Sequence, residues 1–286
     1  MAHSKRFVLT LGLLTGIAAL TVDLSLPAIP AMAESLATSL SKGQQIVGIF
    51  IAGMACGQIP AGLLSDRLGR LPVLYIGMSV FAVGAFAGAL ANSIDVLLAA
   101  RFVQGMGAAS GLVVARAIVR DVADGKDAAR LMSLLTMIFT AAPVIAPTLG
   151  AVLVAAFGWR APFYGIALCS LLILVAIRSN LHETHVPNPE GHPLRQLQRS
   201  TAEFFSHRQS IFALLIIVAA PAGFMSVITI AAALTTETYG FSLEAFGLIF
   251  AMLGVSILLG SSFNRLLVNR FEPAQMLGLA AALVAV

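Results

Sequence analysis

The chain has 286 residues, 59% hydrophobic and only 10% charged, with a formal net charge of +4. A soluble globular domain carries about 25% charged residues, so this chain cannot clothe a water-facing surface and its main solvent is lipid. Its basic residues come one or two to a loop and form no stripe, which excludes nucleic acid as a partner. Its two cysteines, Cys56 and Cys169, lie in apolar runs without metal-site spacing or a disulfide framework.

A membrane-spanning helix needs about 20 predominantly apolar residues. Such runs occur near 7–31, 44–65, 71–91, 94–118, 131–157, 161–178, 211–236 and 243–267, and a ninth begins near Ala274. In lipid every backbone donor and acceptor must be satisfied internally, so the runs are read as helices. The period-two alternation of a barrel is absent. The expected fold class is therefore an all-α polytopic membrane protein. The first run is long enough to span, so it is read as a retained helix and not as a cleaved signal.

Lys and Arg set the orientation. With the N-terminus in the cytoplasm, all but three of the 17 Lys and Arg residues fall on the inner side. The exceptions are Lys42, Arg101 and Arg160, and Arg101 lies inside a span. The one long connection, 179–210, is polar and contains Pro187, Pro189 and Pro193. It separates a six-helix bundle, 1–178, from a partial second bundle, 211–286. Within it, Leu194, Leu197, Phe204 and Phe205 share one helical side, with Arg195, Arg199 and Arg208 among them. That pattern predicts a helix on the inner membrane surface; a disordered linker is the alternative. Gly260–Leu266 echoes Gly62–Leu68, each following the second helix of its half, as in transporters built from parallel repeats.

Charges inside spans are costly and by default functional. Two are deep: Asp23 in the first run and Arg101 in the fourth. At about 1.5 Å per residue their depths nearly coincide in a core of about 30 Å, as a buried pair requires. An acid held between desolvation and a neighbouring cation can load and release a proton. One reading makes Asp23 the proton-coupling acid in a substrate cavity, with Arg101 and Gln104, one turn on, modulating it. The other makes the pair a static tie between two helices. Small residues crowd the same helices, Gly12, Gly16, Gly53, Gly57, Gly105 and Gly111 among them, and permit close backbone approach.

Between the second and third runs, Gly57–Pro72 packs Asp66, Arg67 and Arg70 into five residues. Asp66 needs a cationic partner or a helix N-terminus, and Arg116 and Arg120 stand at the right level. A conformational latch is one reading; topology setting by Arg67 and Arg70 is the other. In the fifth run, Pro143 and Pro147 precede Gly150. Two prolines a turn apart predict a stiff, kinked element, serving either as a gate or as a fixed bend. The linker histidines lack the spacing of a metal site. No metal or cofactor is expected.

Several motifs together resemble the major facilitator superfamily, most closely its Bcr/CflA-type drug:proton antiporters. They are Asp23-x-x-Leu26-Pro27-Ala28-x-Pro30, the loop from Gly62 through Asp66, Arg67 and Gly69 to Arg70, and Arg101-x-x-Gln104-Gly105. Arg120-Asp121, Ala146-Pro147-x-x-Gly150 and Gly158-Trp159-Arg160 complete the set. The resemblance implies a monomer in the bacterial inner membrane. It would export small, amphipathic drugs in exchange for protons by alternating access, with no cofactor beyond the proton gradient. It also places Asp23 and Arg101 where that group has its embedded acid and arginine, and adds Gly69 and Asp121 to the latch. Three departures stand out. Leu71 replaces a usual basic residue. Ala142, Ala146 and Ala151 replace usual glycines in the helix-five antiporter motif that Pro143, Pro147 and Gly150 otherwise match. The family has twelve helices, whereas this chain stops in its ninth, so a C-terminally truncated member is expected. The rival readings are a metabolite exporter or symporter, a non-transporting fragment, a channel, and a membrane enzyme. A channel would need a ring of charges, and an enzyme would need paired acids or a Ser/His or metal set within the spans.

Overall fold

The computed structural model describes residues 4–186, 193–216 and 218–219. The eighth and ninth apolar runs, most of the seventh, and Gly260–Leu266 lie outside the described residues. The chain divides into two compact units, Met1–Gln196 and Leu197–Val286. In the second, residues 208–216 are helical.

The first six apolar runs become helices, all longer than or offset from the runs themselves. They are α1 (Lys5–Ser25), continued through a 3-10 turn (Leu26–Ala28) into α2 (Ile29–Ser35), then α3 (Leu40–Leu68), α4 (Arg70–Ala89), α5 (Ile94–Val122), α6 (Gly125–Phe157) and α7 (Ala161–Asn180). Five of these spans are long and apolar enough to cross a membrane. Hydropathy marks only the lipid-facing stretch, whereas helical hydrogen bonding continues to a cap. Ser39 accepts from the backbone N–H of Lys42 at 3.2 Å and Ser93 from that of Val96 at 3.3 Å, each satisfying an orphan donor of a first turn. The break after Ser25 falls at Pro27, whose ring removes a donor from the ladder and favours a short tighter turn.

α5 is the central helix, packed on α3 and α4 and touching α1, while α6 lies along α1 and α7 along α4. The α3–α5 contact is backbone-close: a Cβ on Gly57 would sit 2.7 Å from the Met106 carbonyl oxygen and 2.9 Å from the Ala109 Cβ. Apolar residues buried between helices include Leu14, Phe50, Phe81, Ile118 and Ile177. Outward residues such as Ile76, Val83, Leu172 and Val175 are apolar and exposed, as a lipid-facing surface requires.

α6 runs unbroken through Pro143 and Pro147. Each proline removes one ladder bond, and the 33-residue helix retains the rest. The linker contains a helix, α8 (Pro193–Ser206), in which the Phe204 and Phe205 rings meet edge to face at 5.5 Å.

Candidate functional site

Two clusters form around two of the arginines singled out in the sequence, Arg101 and Arg70. One lies in the middle of the bundle. The other lies at the end where α3 turns into α4 and from which the linker departs.

In the middle cluster Arg101 is fully buried. Its Nη1 donates to Gln104 Oε1 at 2.9 Å, its Nη2 to Ser25 Oγ at 3.3 Å and its Nε to the Ile46 carbonyl at 3.3 Å. The guanidinium carbon also stands 4.6 Å from the centre of the Phe50 ring and 5.6 Å from that of Phe163. Four helices, α1, α3, α5 and α7, thus converge on one cation. Removing a guanidinium from water costs several kcal/mol. Hydrogen bonds from a charged donor return about 1.5–3 kcal/mol each, and a desolvated ring face about 2. Neutral partners therefore offset part of the burial cost.

The expected Asp23–Arg101 pair is not formed: among the described residues no carboxylate lies within ion-pair distance of Arg101. Asp23 and Ser25 are two residues apart on α1, about 200° around a helix. Since Ser25 is the residue turned to Arg101, Asp23 points elsewhere. The Asp23 side chain is half-buried, and its carboxylate has no hydrogen bond among the described residues. Gln104 does lie on the face expected for it. Its Oε1 is used, and its buried Nε2 has no hydrogen-bond partner among the described residues.

The second cluster centres on Arg70, which is 5% exposed. Its Nε and Nη2 clasp Asp121 at 2.8 and 3.2 Å, while Nη1 reaches Asp66 at 2.5 Å and Ser65 Oγ at 2.9 Å. This two-pronged geometry is the one guanidinium forms best with a carboxylate. Arg116 and Arg120, expected to partner Asp66, are exposed and form no ion pair among the described residues. Arg70 takes their place because it lies one helical turn after Asp66 across the Gly69 bend. Arg67 is exposed. Gly62 lies against α5, where a Cβ would be 3.7 Å from Val113. Gly150 marks the close approach of α6 to α1, since a Cβ there would strike the Leu24 carbonyl. Pro143 and Pro147 belong to neither cluster.

Three residues of the linker root complete the cluster, and sequence reasoning missed them. Glu183 Oε1 accepts from the backbone N–H of Arg70 at 2.8 Å and Oε2 from that of Leu71 at 2.9 Å. Thr184 Oγ1 donates to Asp121 Oδ2 at 3.0 Å, and His185 Nε2 lies 3.0 Å from the Asp66 carbonyl oxygen. Burial opposes the charged form of Glu183, but the backbone N–H groups of Arg70, Leu71, His185 and Thr184 outweigh it and hold its pKa below the ordinary glutamate value. Gly69 makes room: its φ is +98°, and a Cβ there would sit 2.7 Å from Glu183 Oε2.

A sequence model described as Major Facilitator Superfamily matches residues 11–286. Over 269 residues the chain is 32% identical to the Multidrug resistance protein MdtL of Shewanella oneidensis, covering 92% of this chain and 67% of that protein. Over 279 residues it is 30% identical to the Bicyclomycin resistance protein homolog of Haemophilus influenzae, covering 97% and 70%. The chain thus spans about two thirds of the length of these curated relatives. Its fold resembles that of the human organic anion transporter MFSD10 (TETRAN), with a TM-score of 0.61 at 19% identity over 88% of this chain and 70% of that one.

Proposed function

We propose that this chain, which belongs to the Major Facilitator Superfamily of transporters, exports small amphipathic drugs or xenobiotics in exchange for protons by alternating access. The observation that carries this reading is its similarity, over nearly its whole length, to relatives named for multidrug and bicyclomycin resistance. The linker end faces the cytoplasm of a bacterial inner membrane, a reading that the bias of Lys and Arg toward that end supports. The transporter works as a monomer and needs no cofactor beyond the proton gradient.

Asp23 is the proton carrier in this reading. It is an acid in a span, and acids there mark proton routes. Its carboxylate is free of the arginine cage, so it can change charge without breaking a buried pair. Arg101 and Gln104 then serve to fix α1, α3, α5 and α7 around the route. The Arg70 cluster closes the cytoplasmic end of the first bundle, and Pro143, Pro147 and Gly150 shape the helix beside α1. In α8, Phe204 and Phe205 rest in the inner leaflet surface.

The test is drug-driven proton flux in vesicles carrying the protein and an imposed pH gradient. Antiport predicts that adding a fluorescent amphipathic cation such as ethidium to the side opposite the proton-loaded one discharges the gradient, and that Asp23→Asn abolishes the response while the protein still inserts. Proton flow of the opposite sign would make the chain a symporter. Unchanged flux in Asp23→Asn would remove Asp23 from the proton route.

A further inference from the structure

The linker root meets the Arg70 cluster one residue to one residue. Consecutive side chains of Glu183, Thr184 and His185 touch Arg70, Asp121 and Asp66 respectively. The three cluster residues come from the start of α4, the end of α5 and the end of α3. Six consecutive ordinary linker residues, 181–186, follow α7 without regular structure, so these contacts are not imposed by a helix or strand. The charge balance explains their form. Asp66, Asp121 and Ser65 take the guanidinium of Arg70, whereas Glu183 meets only the main chain of Arg70 and Leu71. Glu183 therefore takes the orphan backbone N–H groups that every helix start leaves free, where the helix dipole also favours a negative charge.

We infer that Glu183 is a positioning residue: by holding the first two N–H groups of α4 it sets the Arg70 guanidinium between Asp66 and Asp121, and with Thr184 and His185 it straps the linker root to that point. The backbone nitrogen that Glu183 grips and the guanidinium that bridges the carboxylates belong to the same residue. Fixing the first limits where the second can reach. Gly69 supports this arrangement, because any side chain there would occupy the place of the Glu183 carboxylate. The functional consequence rests on the transporter reading above: movement of the linker during alternating access pulls directly on the cluster that closes the bundle.

The experiment uses the full chain in vesicles and reads three quantities. Phenylglyoxal labelling followed by mass spectrometry reports the Arg70 side chain, with exposed Arg67 as an internal reference. Hydrogen exchange reports the amides of Arg70 and Leu71. Ethidium transport gives kcat and KM. In the wild type Arg70 labels far more slowly than Arg67. In Glu183→Ala both amides exchange about tenfold faster, the scale of one lost helix cap, Arg70 labels at a rate close to that of Arg67, and kcat falls with KM unchanged. Glu183→Asp restores part of the protection and of kcat. Faster exchange with Arg70 still protected overturns the inference, since Glu183 would then be a local cap only. Unchanged kcat with Arg70 freed overturns its role in the cycle. If Glu183→Ala does not accumulate, Glu183→Gln, which keeps one acceptor oxygen, and Thr184→Val must each give an intermediate rise in Arg70 labelling, and no rise in either overturns the inference. If the wild type moves no ethidium or other probe, the export reading fails by itself, and labelling and exchange still decide whether Glu183 positions Arg70.

Discussion

The two buried arginines solve one problem in opposite ways. Arg101, in the middle of the bundle, is surrounded by an amide, a hydroxyl, a backbone carbonyl and two aromatic rings. Arg70, at the linker end, is held by two carboxylates and a serine. A carboxylate buried beside Arg101 would itself have to leave water, at a cost of several kcal/mol, whereas Asp66 and Asp121 keep contact with solvent at the rim. Depth selects the partner: neutral groups where the surroundings are apolar, acids where water is near. The deep site joins four helices through neutral groups alone. The rim site is a set of charges that keeps contact with water.

Removing the deep cation should have the largest effect. Arg101→Ala leaves a cavity and strips Gln104 and Ser25 of their partner, so unfolding in detergent should show a loss of about 3–5 kcal/mol. A loss below about 1 kcal/mol would mean that the cage is not a structural tie. At the rim, Arg70→Lys keeps the charge but cannot span Asp66, Ser65 and Asp121 at once. It should cost about 1–3 kcal/mol and lower transport. If Arg70→Lys costs more than Arg101→Ala, the ranking by depth is wrong.

Gly69→Ala tests the bend that joins the rim site to the linker root. An Ala at a φ of +98° and a ψ of 165° is strained by about 1–3 kcal/mol, and its methyl group displaces Glu183, so its effect should exceed that of Glu183→Ala in the same unfolding assay. An acid titration sharpens the contrast further. The folded-state pKa of Glu183 lies below its ordinary value of 4.5. Its contribution to stability is thus complete above about pH 4.5 and is lost as the pH falls below that. Glu183→Gln should show a flatter stability profile in that window and no difference from wild type in its slope between pH 6 and 8. The smallest effect belongs to Lys42, whose 2.9 Å bridge to Asp95 lies in water, with the side chains 41% and 77% exposed. Lys42→Ala should change stability by less than about 0.5 kcal/mol.

The sequence was read correctly where one physical rule dominates. Runs of apolar residues in lipid must be helices, and the first six became so. Gln104 was placed beside Arg101 because three residues along a helix make nearly one turn. The readings that failed needed a rotation angle or a partner from another helix. Depth alone suggested that Asp23 faces Arg101, but depth says nothing of direction around α1, and Ser25 occupies that direction. Level alone suggested Arg116 or Arg120 for Asp66, whereas a tight bend at Gly69 brings Arg70 closer. Glu183 lies in the linker, where no local pattern points to a partner. One available signal was passed over: six spans bring the chain back to the side of the α3–α4 turn, so an acid just after α7 stands within reach of the unpaired amides of α4.

The sequence by itself determined that this chain lives in lipid, how its first six helices are divided, and which residues carry charge into the membrane. Composition and run length suffice for that, because the cost of exposing polar backbone to lipid outweighs every local preference. Only the tertiary structure decided which charges meet. Arg70 and Glu183 are 113 residues apart, and Arg101 and Ser25 are 76. Their pairing depends on the rotation and registry of packed helices, set by contacts such as that of Gly57 with Met106, which no local pattern along the chain encodes.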